Sequence, residues 1–597
     1  MDLAAGPTVP SAHHPNGNGK SPLHHAVSGG VTRPREAPSG YLCTVTLEDY
    51  FHAAPLRPWI RSETWHRFES RLAGSTRRTV EFLDSCGVQA TFFVGSEIVE
   101  AAPDLIRDIS VAGHEIAVRG DLDSRPADLG PSRALEAVTR DRDRLEQITG
   151  TRVHGYRASG AWLRADELWL LEVLAEAGYS YDSSTRPVLL SRPLSALKGS
   201  RSAAHTRPGV REIALSSVDV FGLALPVGGG AALRLLPQAW FRRTVAQWSR
   251  GRTEPYVMYL RPWELDPEQP RVLSASTTVR LRQYRNLERM PTRLRDLLTA
   301  HPFVSVAAHL GLDPAPVHIR ASNDSSAPRV ASEEGRAPRA ASQGPSRGAP
   351  MAVTVVVPCY NETQSLRYLE SALADLAMAF GREYAFTFLF VDDRSTDDTW
   401  SLLQALFGSR PDCLLVRHDS NRGIAAAIRT GLQHAKTEVV CSIDCDCTYD
   451  PHELGHMIPL LRDDVDVVTA SPYHPAGGVR NVPGWRLILS KTLSRLYRVV
   501  LQQKLFTYTS CFRVYRKEAA IALEIERPGF LGIAEMIARL DLAGRRVVEY
   551  PTTLEVRVLG QSKMKVLRTV WGHMGLLLDV AQARLRRQGA SASAATL

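Results

Sequence analysis

The sequence predicts two α/β blocks in series, separated by an unstructured linker. Short apolar runs alternate with helically spaced stretches along most of the chain, the pattern of strands followed by covering helices. Residues 313–350, DPAPVHIRASNDSSAPRVASEEGRAPRAASQGPSRGAP, are almost wholly Ala, Pro, Ser, Arg and Gly, too little apolar bulk to offset the entropy of ordering them. The 597 residues are 44% hydrophobic and 23% charged, the balance of a soluble globular chain, which excludes a wholly disordered, collagenous or coiled-coil protein. That division leaves a first block at 40–312, a second at 351–586, and unstructured tails at 1–39 and 587–597.

No apolar run approaches the roughly 20 residues that a membrane-spanning helix needs. The N-terminus lacks a basic stretch followed by an apolar one, so no secretory signal is expected and the expected location is the cytoplasm. Lys and Arg exceed Asp and Glu by 72 − 63 = 9, which favours anionic partners. No basic stripe interleaved with aromatics is present, so nucleic acid is not an expected partner. The eight cysteines of such a chain read as free thiols. Cys441-x3-Cys445-x-Cys447 lacks the paired units of a zinc site and reads as small buried residues at a strand end.

The first block opens with YLCTVTL (41–47) and ATFFV (90–94) as strands, with a helix between them from Arg71 to Cys86. In the second, VTVVVP (353–358), FTFLFV (386–391), CLLVRH (413–418) and VVCSI (439–443) are strands separated by helical stretches. Such alternation gives parallel sheets covered by helices, and parallel sheets bind ligands beyond the carboxyl ends of their strands. Three of the second block's strands end in acidic runs: Pro358-Cys359-Tyr360-Asn361-Glu362, Asp392-Asp393-Arg394-Ser395, and Asp444-Cys445-Asp446. Helix capping accounts for Ser395 or Asp397 but not for the pair Asp444 and Asp446. Close like charges repel unless a cation joins them, and hard oxygen donors suit Mg2+ or Mn2+, which take one or two carboxylates together with substrate phosphates. Asp444 and Asp446 are therefore the candidate metal ligands.

Seven motifs of the second block, VVVPCYNE, VDDRSTDDT, NRGIAAAIRTGL, IDCDCTYDP, GGVRNVPGWRLILSK, TSCFRVYRKEA and RVLGQSK, stand in one order across about 352–580. In this the block resembles the family 2 glycosyltransferases, and within them the dolichol-phosphate mannose synthase group. The resemblance implies a Rossmann-like GT-A nucleotide-sugar domain, a nucleotide-sugar donor, a polyprenyl phosphate acceptor and Mg2+ or Mn2+. Carried over by position, Pro358, Tyr360 and Glu362 hold the base and ribose, and Val391, Asp392 and Asp393 meet the base. Asp444 and Asp446, with Cys445 between them, hold the metal and diphosphate. Arg557 and Lys563 close over the diphosphate, while Arg513 and Ser490 stand at lipid-phosphate positions. Asp446 and Arg557 form the implied catalytic set, since a departing nucleoside diphosphate gathers charge that a cation and a guanidinium stabilise where it develops.

The acceptor decides whether a base is needed. A sugar hydroxyl requires one; a lipid phosphate is already ionised. Glu535, in GFLGIAE, is either that base or a structural partner on a helix. Transfer of a hexose, by family default mannose from GDP-mannose, to a polyprenyl phosphate is the leading expectation. A UDP-sugar donor with a glycan or lipid hydroxyl acceptor, and a non-catalytic glycan-binding protein, stay open. The open donor reflects departures: Ser471-Pro472-Tyr473 where the family carries S/T-R-Y, with Arg480 and Arg486 as candidate replacements, and TSCF for TSGF. Apolar residues recur at Leu489, Leu493, Leu496 and Val500. They recur again at Val566, Val570, Met574, Leu577, Leu578, Ala581 and Leu585, flanked by Lys565, Arg568, Arg584, Arg586 and Arg587. This suits a basic helix lying on an anionic membrane surface, a peripheral attachment at the inner face, or an ordinary helix packed on its own domain.

The first block, through EDYFH, ATFFV, AAPDLIRDISVAGHEIA, GYRASGAW, LAEAGYSYDSS and RPWELDPEQP, resembles the polysaccharide deacetylases, which implies a distorted (β/α) barrel. The family's metal and acid positions fall here on Thr46, Arg119, Asp123 and Arg261. A guanidinium has no lone pair to offer a metal, and in this chemistry the metal activates the water. The resemblance thus implies an inactive domain that binds an anion or glycan through Arg119 and Arg261, or serves as a scaffold.

Overall fold

The computed structural model describes residues 40–120, 126–158, 167–184, 209–220, 223–248, 254–312, 349–560 and 566–594. The expected tail at 1–39, nearly all of the expected linker and Lys563 lie outside the described residues.

Strands β1 (Tyr41–Thr46), β2 (Thr91–Val94), β3 (Glu115–Arg119), β4 (Gly155–Arg157), β5 (Tyr181–Asp182) and β6 (Arg211–Glu212) pair in parallel in that order. A hairpin of β7 (Ser217–Val220) and β8 (Leu223–Pro226) comes next, and then β9 (Tyr256–Leu260) and β10 (Phe303–Val304) return to pair in parallel with β1. The result is a curled parallel sheet, a half-barrel. Every residue of β1 and β2 is buried, as expected of strands covered on both faces. The helix Leu72–Ser85 between them buries Leu72, Ser75, Thr76, Thr79 and Leu83, three or four residues apart on one stripe.

The second block contains β11 (Met351–Cys359), β12 (Tyr384–Asp392), β13 (Cys413–Arg417), β14 (Val439–Ser442), β15 (Val467–Ser471), β16 (Gly478–Arg480), β17 (Arg513–Arg516), β18 (Val547–Pro551) and β19 (Thr553–Glu555). Its main sheet runs in the order β13-β12-β11-β14-β17-β15-β18. The four strands read from the sequence are mutually parallel, so their carboxyl ends share one edge. β17 is antiparallel to both its neighbours. The helix Ile424–His434 lies directly on β11: a Cβ at Gly431 would come within 2.2 Å of a Val356 methyl, so only glycine permits that approach.

Farther along, the helices Gly484–Val500 and Val566–Ala594 pack through a Tyr497 Oη–Nδ1 His573 hydrogen bond of 2.8 Å. The second of these runs to Ala594, so the tail expected from 587 is helical instead, in keeping with the helix formers of ARLRRQ. No helix among the described residues is long and apolar enough to cross a membrane.

Both blocks fall within one compact unit. Arg67 of the first pairs with Asp375 (2.7 Å) and Asp450 (3.0 Å) of the second. The Phe68 ring meets Tyr368 edge-on at 5.0 Å. Arg61 pairs with Glu555 at 3.4 Å, and the Asn481 amide donates to the Pro58 carbonyl. Tyr50, Phe51, Phe68 and Trp263 of the first block form one buried cluster with Leu559 of the second.

Candidate active site

The carboxyl edge of β11, β12 and β14 carries three short turns. Asn361, Arg394 and Cys447 sit in them with φ of 53°, 60° and 52°. Side chains at such angles are strained, and such residues cluster where a site over-determines the backbone. The turns are laced together: the Asn361 amide donates to Ser395 Oγ (2.9 Å), Thr396 N donates to Asn361 Oδ1 (2.7 Å), and Glu362 N donates to Thr399 Oγ1 (2.7 Å).

Four charged side chains meet on this edge. Arg557, two residues past β19, places Nε 2.6 Å from Asp446 Oδ2 and Nη1 2.9 Å from Glu362 Oε1. The other Asp446 oxygen accepts from the amide and hydroxyl of Thr448, at 3.1 and 2.9 Å. Asp444 accepts from the Cys511 thiol. Enclosure by protein, and then the Asp446 charge, push the Asp444 carboxyl well above the usual carboxylate range. Burial works against the Arg557 charge, but Asp446 and Glu362 outweigh it and hold the guanidinium protonated. The cluster thus contains three carboxylates against one guanidinium, a site short of positive charge.

The other sequence candidates divide. Tyr360 is half-exposed beside the rim. Cys445 is buried and accepts from the Cys359 thiol at 3.7 Å. Ser490 hydrogen-bonds Tyr473, over whose ring Lys491 Nζ lies at 5.7 Å. Pro358 and Val391 are register partners on β11 and β12 and lie buried.

Other candidates are engaged with protein partners in this structure. Asp392 is buried and pairs with Arg417 at 2.9 Å while accepting from Ser395 N. Asp393 accepts from His418 Nδ1 (2.8 Å) and from the amides of Arg422 (2.8 Å) and Gly423 (2.7 Å). The pair therefore ties down the loop leading into the Ile424–His434 helix; buried carboxylates with several donors are committed to those donors. Gly423 has φ of 87°, and a Cβ there would come within 2.7 Å of the Gly529 nitrogen, which explains the glycine of NRG.

Arg513, expected at a lipid phosphate, is fully buried on β17 and donates to the carbonyls of Ile533 (3.1 Å) and Tyr508 (3.0 Å). It braces the sheet. Arg480 pairs with Glu555 and Arg486 stacks on Trp485, so neither joins the acidic cluster. Glu535 is buried; its Oε2 accepts from the amides of Glu526 (3.1 Å) and Arg527 (2.7 Å), and Oε1 pairs with Arg539 at 2.9 Å. Cys511 stands out in the sequence as a departure, but nothing there signals that its thiol meets Asp444, 67 residues away.

A family model described as glycosyl transferase family 2 matches residues 354–523. A polyprenol monophosphomannose synthase from Mycolicibacterium smegmatis is 30% identical over 217 residues, 35% of this chain and 80% of that protein. The chain belongs to glycosyl transferase family 2. A dolichol-phosphate mannosyltransferase from Pyrococcus furiosus is 29% identical over 217 residues, 36% of this chain; the match spans only 60% of that relative's length. Among solved structures, glucosyl-3-phosphoglycerate synthase from Mycobacterium tuberculosis, in complex with Mn2+, UDP and glucosyl-3-phosphoglycerate, is 18% identical. That match covers 39% of this chain and 80% of the other, with a TM-score of 0.30.

Ahead of the family 2 block, a polysaccharide deacetylase model matches 64–181 and a model for a domain of unknown function (DUF3473) matches 183–310. The deacetylase likeness that the sequence carries through 312 is thus divided, and RPWELDPEQP falls in the second stretch. At the positions compared with the deacetylase metal site, Glu48 lies between Arg119 Nη1 (3.4 Å) and Arg261 Nε (2.6 Å) and accepts from the Trp263 indole at 3.2 Å. Arg119 also pairs with Glu97. Arg119 and Arg261 therefore converge, but on a protein carboxylate. Arg157, 3.9 Å over the Phe93 ring, donates to Ser183 Oγ at 3.0 Å, and burial brings its pKa down to about 10. Asp121 and Asp123 lie outside the described residues.

Proposed function

We propose that this family 2 transferase moves a hexose, by default mannose from GDP-mannose, from a nucleotide sugar to a polyprenyl phosphate. The observation that carries the proposal is the Glu362–Arg557–Asp446–Asp444 cluster at the carboxyl edge of the parallel strands. It is deficient in positive charge, and its two neighbouring aspartates are the donor set that Mg2+ or Mn2+ takes alongside phosphates. Among the described residues no group of three or more His, Cys, Asp or Glu stands in metal-ligating geometry, so diphosphate oxygens and water would complete the shell. A divalent ion held by Asp444 and Asp446 would supply Lewis-acid stabilisation of the leaving diphosphate. Arg557 exchanges a carboxylate for that diphosphate as the sugar–phosphate bond breaks and an oxygen of the lipid phosphate bonds to the sugar.

The setting of Glu535 supports a phosphate acceptor: held by two amides and a guanidinium, it is engaged as a structural carboxylate, and an ionised phosphate needs no base. The relatives named as polyprenol and dolichol-phosphate mannosyltransferases support the same acceptor.

The lipid also needs a landing surface. Trp485, Ile488 and Val499 are 55%, 71% and 79% exposed on one helix, and Trp571, Leu578 and Leu585 are 77%, 63% and 68% exposed on its partner. Lys491, Arg495 and Arg586 are exposed on the same two helices. Apolar rings rimmed by basic charge suit peripheral docking on the cytoplasmic, anionic leaflet. The face read in the sequence is met in part: Leu578 and Leu585 face outward and Leu496 is half-exposed, whereas Leu493, Val500, Met574 and Leu577 pack inward. In the first block, the paired charges around Glu48 favour scaffolding over catalysis.

The test is incubation of the full chain with labelled GDP-mannose, UDP-glucose and UDP-N-acetylglucosamine, MnCl2 or MgCl2, and polyprenyl phosphate. Label entering the lipid fraction from one donor, and lost with EDTA, is expected. No lipid-borne label from any of them would overturn the proposal.

A further inference from the structure

The arginine that faces the acidic cluster sits on a short stretch, residues 556–560, with little regular structure of its own. β19, which precedes it, is three residues long and pairs only with β16, also of three. The Val556 amide still donates to the Arg480 carbonyl, and the strand pairing ends there. The first block supplies the anchor beyond that point. Leu559, two residues from Arg557, is 7% exposed and lies in the cluster of Tyr50, Phe51, Leu56, Phe68 and Trp263, with Val558 packed against its edge. At the other end of the stretch, Glu555 pairs with Arg61 of the first block as well as with Arg480. The stretch is therefore pegged at both ends, and the larger peg is supplied by the deacetylase-like block.

We infer that Leu559 is a positioning residue for Arg557, and that the first block acts as a clamp presenting this arginine to the donor diphosphate. The physical reason is the cost of ordering. A short stretch beyond the end of its strand pairing samples many conformations, and Arg557 can assist a diphosphate only from the few that bring its fork to the rim. Burying a leucine among aromatic rings shifts that population, and apparent affinity scales with the fraction of molecules in the competent arrangement. The deacetylase-like block would thereby contribute to transfer without any chemistry of its own. The inference rests on the proposed role of Arg557 as the diphosphate contact.

The experiment uses the full chain and GDP or UDP with MnCl2, measured by titration calorimetry, so that no acceptor is needed. Leu559→Ala is expected to weaken nucleotide binding about tenfold, as a competent population reduced to roughly a tenth requires. Leu559→Met, which refills the volume, should restore it to within about twofold. In an Arg557→Gln background, Leu559→Ala should have almost no further effect, because a residue that acts through another is not additive with it. Hydrogen exchange at the amides of 556–560 should rise in Leu559→Ala while exchange in β11 and β12 stays unchanged. If Leu559→Ala does not fold, Leu559→Val takes its place, with a two- to threefold weakening expected on the same scale. A large effect of Arg557→Gln with none of Leu559→Ala would overturn the clamp and leave the role of Arg557 standing. No effect of Arg557→Gln, or no nucleotide binding by the wild type, would overturn that role and the clamp with it. Additive effects of the two substitutions would reduce Leu559 to a core residue and likewise overturn the inference.

Discussion

Replacing Glu535 by Gln separates the two kinds of acceptor, and the structure gives the size of each outcome. Glu535 Oε2 accepts from two backbone amides, and Oε1 pairs with Arg539, whose side chain is 34% exposed. A glutamine keeps one carbonyl oxygen for the amides but turns two charge-assisted bonds into neutral ones, a loss of about 1 kcal/mol each. The Arg539 pair adds at most a few tenths, since solvent screens a guanidinium that exposed. The sum, about 2 kcal/mol, lowers the melting temperature of a block this size by roughly 4–8 °C. Transfer to polyprenyl phosphate, assayed well below that transition, should keep kcat within about twofold. A general base would instead take roughly 10²–10⁴ from kcat when lost. A hundredfold fall in kcat with an unshifted melting temperature would therefore refute both the structural role of Glu535 and the phosphate acceptor.

Exposure and burial elsewhere set two further outcomes. Trp571→Ser with Leu578→Ser removes apolar side chains worth about 1.5–3 kcal/mol each when buried, so binding to phosphatidylglycerol vesicles should fall at least tenfold while soluble GDP binding is unchanged; a switch from dimer to monomer on sizing, with vesicle binding intact, would assign the face to a second copy of the chain instead. Burial pushes the Asp182 carboxyl up to about 7 from 3.8. Its contribution is then fully present below about pH 4 and is lost as pH rises through about 7, worth roughly 4 kcal/mol at 1.36 kcal/mol per pH unit. Asp182→Asn should flatten the fall in melting temperature between about pH 4 and 7, and an unchanged slope would remove Asp182 as its source.

Much of the second block was legible because its strands read as near-continuous apolar runs, those of β11, β12 and β14 largely buried; β11, β12, β13 and β14 each include most of the run that announced them. The acidic edge was legible as a strand end, since runs of Val, Phe and Leu that stop at acidic residues mark where strands leave the core, although Asp392, which ends one of them, is itself buried. Which aspartates face a ligand was not legible. Asp393 and Asp444 look alike in sequence, yet Asp393 is bound by amides 29 and 30 residues farther on, and a loop's docking leaves no local pattern. The burial of Arg513 was illegible for a related reason: its motif gives position along the chain, while its burial depends on β17 entering the sheet antiparallel between β14 and β15. The contact between the blocks was the least legible of all. Arg67 and its partners are more than 300 residues apart, and no periodicity in one block records a complementary surface in the other.

An ionised acceptor removes the need for a base but creates a different difficulty. It brings negative charge to a rim that already contains Glu362, Asp444 and Asp446, next to a diphosphate that becomes more negative as its sugar leaves. Close like charges in a partly buried site cost several kcal/mol unless balanced, so such an enzyme is limited by how much positive charge it can bring to the rim and hold there. In the proposed mechanism a divalent ion held by the two aspartates would supply part of it, and Arg557 would supply the rest. With that much depending on one guanidinium on an irregular stretch, the value of anchoring the stretch from outside the transferase sheet rises in proportion. A hydroxyl-accepting relative with its own carboxylate base faces less crowding of charge and has less need of such an anchor. On this view, the half-barrel, whose charges around Glu48 are paired with one another, would serve the proposed transfer by holding Leu559 in place.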